Sequence, residues 1–131
     1  MTALARGTGR TAAETIISGE QSIYATWAED YYFFARSTGA AEDLTGIDFE
    51  YQFRRCVSQV SADVTLSISN GMLSIEDDAG SVASILRVNA PSGTFAQYEG
   101  SMIADLVAID EDGNRFHKGH GVMTFLNEPV A

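Results

Sequence analysis

The chain has 131 residues, 45% of them apolar and 20% charged, which is the make-up of one folded domain around a single core; no apolar run approaches the ~18 residues of a membrane helix. A net charge of −10 repels phosphate backbones and excludes duplex nucleic acid as a direct partner. The single cysteine, Cys56, excludes an intrachain disulfide, and the opening "MTALARGTGR" lacks the apolar centre of a secretory signal, so synthesis in the cytoplasm without export by the general secretory route is expected.

Residues 1–13 carry Arg6 and Arg10 and no acid, whereas the remainder carries 6 basic and 18 acidic residues. Two readings fit this Gly/Thr/Ala-rich stretch: a frayed terminus, or a basic arm that docks on an acidic neighbour such as a sister subunit. The expected organisation is therefore an arm over 1–13 and a folded domain over 14–131. "ETIIS" offers a first strand, and "IYATWAEDYYFFAR" (23–36) contains another around Tyr31 to Arg36. In a strand, Tyr31 and Phe33 face one way and Tyr32 and Phe34 the other. With Trp27 close by, the aromatics exceed one inward row; either this strand is central or a second subunit covers one of its faces. Arg6, Arg10, Trp27, Tyr32 and Phe34 are accordingly the candidate assembly surface. "STGAAED" (37–43) has the composition of a loop.

In "GIDFEYQFRR" (46–55), Phe49, Tyr51 and Phe53 alternate with Asp48, Glu50, Gln52 and Arg54. Period two makes the aromatics the inward row of a strand, each burying ~150–250 Å². Cys56 follows Arg54 and Arg55, which favour a thiolate, but no histidine can be placed beside it. Ala62, Val64, Leu66 and Ile68 alternate with polar residues up to Asn70-Gly71, the preferred pair for a two-residue hairpin turn; Leu73 and Ile75 follow. A hairpin would pair Ile68 with Leu73 and Leu66 with Ile75. "EDD" (76–78) is a solvated strand end. "SVASILRVN" (81–89) reads better as strand than helix among such neighbours, and "PSGTFAQYEG" (91–100) allows one helical turn capped by Ser92 or Thr94.

"SMIADLVAID" (101–110) is apolar on both faces except at Asp105, the pattern of a central strand. "EDGN" turns the chain, and "RFHKGHGVMTFL" (115–126) returns as its hairpin partner, with Gly119 and Gly121 marking a bulge or a close backbone approach. Asp105 could be a raised-pKa acid; with no second acid or base near it in sequence, a structural role leads. His117 and His120 stand three apart, which on a regular strand puts them on opposite faces and prevents a shared metal unless the strand bulges at Gly119. Asp110, Asp112 and Asn114 have the composition of a short calcium loop but lack the ~six oxygens such a site needs, so a solvated turn is the stronger reading.

Several short strands separated by turn signals specify an all-β fold: an antiparallel, Ig-like β-sandwich of about seven to eight strands with an N-terminal arm. No P-loop, dinucleotide fingerprint, GxSxG or HExxH occurs, so no catalytic residue, metal site or cofactor is expected and the chain reads as a non-enzyme.

"DLTGIDFEYQFRR" (43–55), "DVTLSISNGMLSI" (63–75) and "YEGSMIADLVAIDEDGNRFHKGHGVMTF" (98–125) together resemble a family of small β-sandwich modules of tailed-bacteriophage virions, which includes the N-terminal domain of the siphophage upper baseplate protein. Met102-Ile103-Ala104 stands before Asp105-Leu106 where that family often has tyrosines. The resemblance implies a virion structural protein, made in the host cytoplasm, that assembles with other phage virion proteins and as a homo-oligomer in the tail, baseplate, neck or capsid decoration, with no direct nucleic-acid or membrane partner. It makes Asp105 a structural position. The expectation from a different class is a calcium- or carbohydrate-binding adhesion module with a loop-borne site.

Overall fold

The computed structural model describes the backbone of residues 2–6, 15–34, 40–78 and 82–127, and the side chains of 17–33, 40–78 and 82–127. These residues form nine strands: β1 (Thr2–Arg6), β2 (Thr15–Ser22), β3 (Trp27–Phe34), β4 (Asp48–Arg54), β5 (Val64–Ser67), β6 (Leu73–Asp77), β7 (Ala83–Ala90), β8 (Gly100–Ile109) and β9 (Arg115–Leu126). They build a β-sandwich with a four-stranded sheet in the order β1-β3-β7-β6 and a five-stranded sheet in the order β2-β9-β8-β4-β5. Pairing is antiparallel except at one edge of each sheet, where β1 runs parallel to β3 and β2 parallel to β9. The candidate basic arm thus begins in a strand, β1, of the four-stranded sheet; Arg10 lies outside the described residues.

The aromatic row of β4 supplies the centre of the core. Phe49, Tyr51 and Phe53 are each fully buried, and their polar alternates face outward. Trp27 and Tyr31, from the opposing sheet, and Phe95, from the β7–β8 connection, close over that row. Phe53 meets Trp27, Phe95 and Phe125 edge-on at 5.0–6.0 Å between ring centroids, while Phe95 stacks on Phe125 at 4.1 Å. Such pairs add about 0.5–1.5 kcal/mol each beyond their area burial, so one strand's alternation welds the two sheets together. A polar thread runs through this region: the Tyr31 hydroxyl donates to Glu29 Oε1 at 2.9 Å and lies 3.3 Å from the Tyr51 hydroxyl. Burial pushes both phenols far above their ordinary range, so they act as neutral hydrogen-bonding groups.

The expected hairpin at Asn70-Gly71 is overturned. β5 pairs with β4 in one sheet and β6 with β7 in the other, so residues 68–72 arch from sheet to sheet instead of folding a ribbon back on itself. Asn70 Oδ1 accepts the backbone N–H groups of Ser67 and Met72, and Gly71 takes a left-handed φ of 81°. Leu66 and Leu73 are buried as alternation requires, but they face each other across the core from opposing sheets. The expected helical turn within 91–100 is absent: 92–97 are turns, Gly100 already begins β8, and Thr94 Oγ1 donates to the Pro91 carbonyl rather than capping a helix.

The β8–β9 hairpin forms as expected, and β8 is central, between β4 and β9. Its ladder shifts at one point: Leu106 pairs with Gly119 and Val107 with His117, leaving Lys118 as the extra residue of a β-bulge.

Candidate functional site

The bulge determines the chemistry of the outer face of the five-stranded sheet. One inserted residue reverses the alternation, so His117 and His120 emerge on the same outward face, opposite Val107 and Asp105 respectively. Lys118 is directed inward instead and is 1% exposed. The two imidazoles line an open groove of about 540 Å³ with Gln52 and Arg54 of β4, Ile103 and Asp105 of β8, and Val57 and Gln59 of the loop after β4.

Asp105 points into this groove and not into the core. Its Oδ1 lies 2.9 Å from His117 Nδ1, so the structure supplies the partner, twelve residues away, that its sequence neighbourhood lacks. Along β4, Arg115 pairs with Glu50 at 2.9 Å and holds its carboxyl below the usual range. Gln52 Nε2 donates to Glu50 Oε1, and Arg54 donates to Gln52 Oε1 at 2.8 Å and to the Val60 carbonyl at 3.4 Å. This relay ties the 55–63 loop to the sheet and fixes the guanidinium at the groove's end.

A carboxylate-oriented imidazole is two thirds of a hydrolytic triad, but the side chains lining the groove carry no hydroxyl or thiol to complete one. Among the described residues, no group of three or more His, Cys, Asp or Glu side chains is arranged to hold a metal ion. Cys56 is exposed in the 55–63 loop. Arg55 turns away from it toward the carbonyls of Gln97 and Glu99, with its guanidinium 5.5 Å from the Tyr98 ring.

The turn at 110–114 is built around Asp110, which is 6% exposed. Its Oδ1 accepts the backbone N–H groups of Asp112 and Asn114 at 2.9 Å, and its Oδ2 accepts from the Asn114 side chain at 3.3 Å. The Asp110 oxygens therefore organise the turn expected here, with Asp112 and Asn114 as donors to them and Gly113 in the left-handed region at 84°. Replacing Asp110 with Ala leaves two N–H groups unmet and is expected to cost about 1–3 kcal/mol in urea denaturation. Added Ca²⁺ should leave the wild-type melting temperature unchanged; a Ca²⁺-dependent rise abolished in D110A would make the loop a cation site.

Of the residues expected at an assembly surface, Arg10 and the side chains of Arg6 and Phe34 lie outside the described ones. Trp27 is 3% exposed and its ring is spent on the core. Tyr32 lies half-buried on the other face of β3, paired with Ala3 and Ile85. Phe34 ends β3 opposite Arg6 of β1. Of those whose side chains are described, neither Trp27 nor Tyr32 borders the groove. The groove itself was not foreseen, although the "KGHG" glycines carried the bulge signal that creates it.

Sequence reasoning also missed a buried ion pair. Lys118 Nζ lies 3.8 Å from Glu42 Oε2 and 5.2 Å from the centroid of the Phe33 ring. Burial pushes the Lys118 ammonium below its ordinary range, against the pull of Glu42; burial likewise raises the Glu42 carboxyl, against the pull of Lys118. Glu42 falls within the stretch expected as a loop, whose residues 37–39 lie outside the described ones.

No protein-family model and no curated protein matches the chain. Among solved structures it is similar to the N-terminal domain of phage TP901-1 ORF48, at 12% identity and a TM-score of 0.47 over 96% of this chain and 99% of that one. It is also similar to murine CRIg, at 10% identity and a TM-score of 0.30 over 84% of this chain and 91% of that one.

Proposed function

We propose that this chain is a non-enzymatic structural component of a bacteriophage virion, a β-sandwich that works by contacting other virion proteins and copies of itself. The observation that carries this reading is where the phage-like segments fall. "DLTGIDFEYQFRR" and "YEGSMIADLVAIDEDGNRFHKGHGVMTF" become β4 and the β8–β9 hairpin, three adjacent strands of the five-stranded sheet. The segment "DVTLSISNGMLSI" adds β5 beside β4 and then crosses to β6 of the other sheet, so most of the resembling residues lie in one sheet. The groove on that sheet offers charged and apolar groups for contact and no nucleophile for catalysis. Burial at such contacts supplies association energy, while the acidic body selects partners by charge.

On this reading β1, the edge strand that carries Arg6, and the arm residue Arg10 meet a neighbouring subunit, and the protein is made in the host cytoplasm before incorporation. Mass spectrometry of gradient-purified phage particles from the source host is expected to find the chain in fixed stoichiometry with the other virion proteins. Its absence from particles while present in the lysate would sink the proposal. Light scattering of the full chain and of a chain lacking residues 1–13, which also removes β1, then tests the arm: with circular dichroism verifying that the shortened chain is folded, the deletion is expected to reduce the assembled mass.

A further inference from the structure

We infer that the groove on the five-stranded sheet is a head-to-tail docking site for a second copy of this chain, whose acidic β8–β9 hairpin tip, Glu111-Asp112, seats against Arg54. The inference rests on the assembly reading above and names its contact.

The strands of this sheet are electrically polar along their length. At one end, the loop before β4 and the β8–β9 turn come together: a Cβ placed on Gly46 would lie 2.5 Å from Glu111 Oε1. Asp43, Asp48, Glu111 and Asp112 are all exposed there. At the other end, Arg54 and His120 line the groove, and the only acid among the lining residues is Asp105, already engaged by His117. Arg115 is neutralised by Glu50 at 2.9 Å. Arg54 donates instead to the neutral Gln52 Oε1 and Val60 carbonyl, so among the described residues it is the groove's cation without a paired acid, on a chain whose net charge is −10. A local cationic site on an anionic body attracts an acidic segment, and the opposite end of the same molecule presents one.

Apolar surface is concentrated at the cationic end. Val57 and Val60 of the 55–63 loop are 84% and 93% exposed, and Val122, also exposed, lies in the cross-strand row of Arg54 and Ile103. Apolar contacts around a charged pair exclude water and strengthen it, and these valines have no such use in the isolated chain. The incoming tip is already ordered, because Asp110 holds the backbone of Asp112 and Asn114, so docking spends little conformational entropy on it. The contact joins two different surfaces of one chain. It is therefore heterologous and propagates into a ring or a filament according to its rotation.

Sedimentation equilibrium of the full chain at low salt is expected to show self-association that weakens as salt screens the contact. E111K/D112K and R54E should each weaken it about tenfold or more, as reversal of a close interfacial charge pair does. An equimolar mixture of the two variants should recover association, because the reversed tip then meets the reversed groove. V57D, at an exposed side chain, provides a second lesion independent of the Arg54 relay, and circular dichroism verifies that each variant is folded. A monomeric wild type, variants that associate like wild type, or a mixture that fails to recover would overturn the docking site. These results leave the virion proposal standing, whereas absence from purified particles removes that proposal without restoring or breaking the solution contact.

Discussion

Replacing Lys118 with Met is expected to cost about 3 kcal/mol or more at pH 8, the penalty for leaving one member of a buried ion pair without its partner. Lys118 is 1% exposed and the Glu42 side chain 13% exposed, so neither can turn to bulk water. Glu42 Oε2 has no hydrogen-bond partner, and the ammonium 3.8 Å away is its electrostatic compensation. The loss should depend on pH in a defined sense. Burial raises the folded-state pKa of Glu42 above 4.5, so the native protein binds more protons than the unfolded chain just above that pH. Stability therefore falls as pH rises through the window, and removing Lys118 deepens the fall by removing the one interaction that opposes it. For Lys118, the folded-state pKa lies below 10.5, so native protein binds fewer protons there and stability rises with pH through that range. Urea denaturation of K118M at pH 4.5 and pH 8 should thus show the larger loss at pH 8. E42Q/K118M should recover most of it, because no charge remains buried. A loss that is equal at both pH values, or that the second substitution does not relieve, would place the cost in packing against Phe33 instead.

Gly121→Ala is expected to detach β2. A Cβ at Gly121 would lie 1.8 Å from the carbonyl oxygen of Ile17 and within 3 Å of that residue's C and N atoms. These are backbone atoms, so no rotamer change relieves the collision, and β2 or β9 must move. β2 is the weaker party. It is an edge strand held in the five-stranded sheet only through β9, whereas β9 is also locked to β8 over ten register pairs. Losing the β2 pairing and the burial of Ile17 should lower stability by roughly 3 kcal/mol, among the larger effects of single substitutions, and the melting temperature by ~10 °C. Hydrogen exchange should show where: amides of Ile17 to Ser22 lose protection, while those of β4 and β8 keep it. Uniform loss across both sheets, or a melting temperature within a few degrees of wild type, would refute the local account.

Both variants lie in "HKGHG", and that segment separates what alternation reveals from what it hides. Period two is a property of the strand alone. It correctly assigned Phe49, Tyr51 and Phe53 to the core and separated Tyr31 and Phe33 from Tyr32 on β3, because a side chain's face depends on neighbours one and two residues away. Alternation did not say which face of β3 is inward, and Trp27, expected at a surface, is buried with Tyr31 and Phe33. It failed at 117–120, where one extra residue in β9 reverses the faces, bringing His117 and His120 together beside Asp105 and sending Lys118 inward. The glycines announced an irregularity there, but its position depends on which residues of β8 lie opposite.

What the amino-acid order settled by itself, then, was the all-β class, the alternating rows and the positions of the turns, since each follows from local backbone chemistry. The tertiary structure decided which strand lies beside which. Leu66 and Leu73 flank an Asn-Gly turn suited to a hairpin, yet they belong to opposite sheets, because arching across the core buries both leucines as fully as a ribbon would and leaves β5 and β6 free to pair with β4 and β7. The parallel edges at β1 and β2, the Lys118–Glu42 pair and the groove are likewise agreements between residues far apart in the chain. No local pattern encodes them, because the free energy that selects them resides in the contacts themselves.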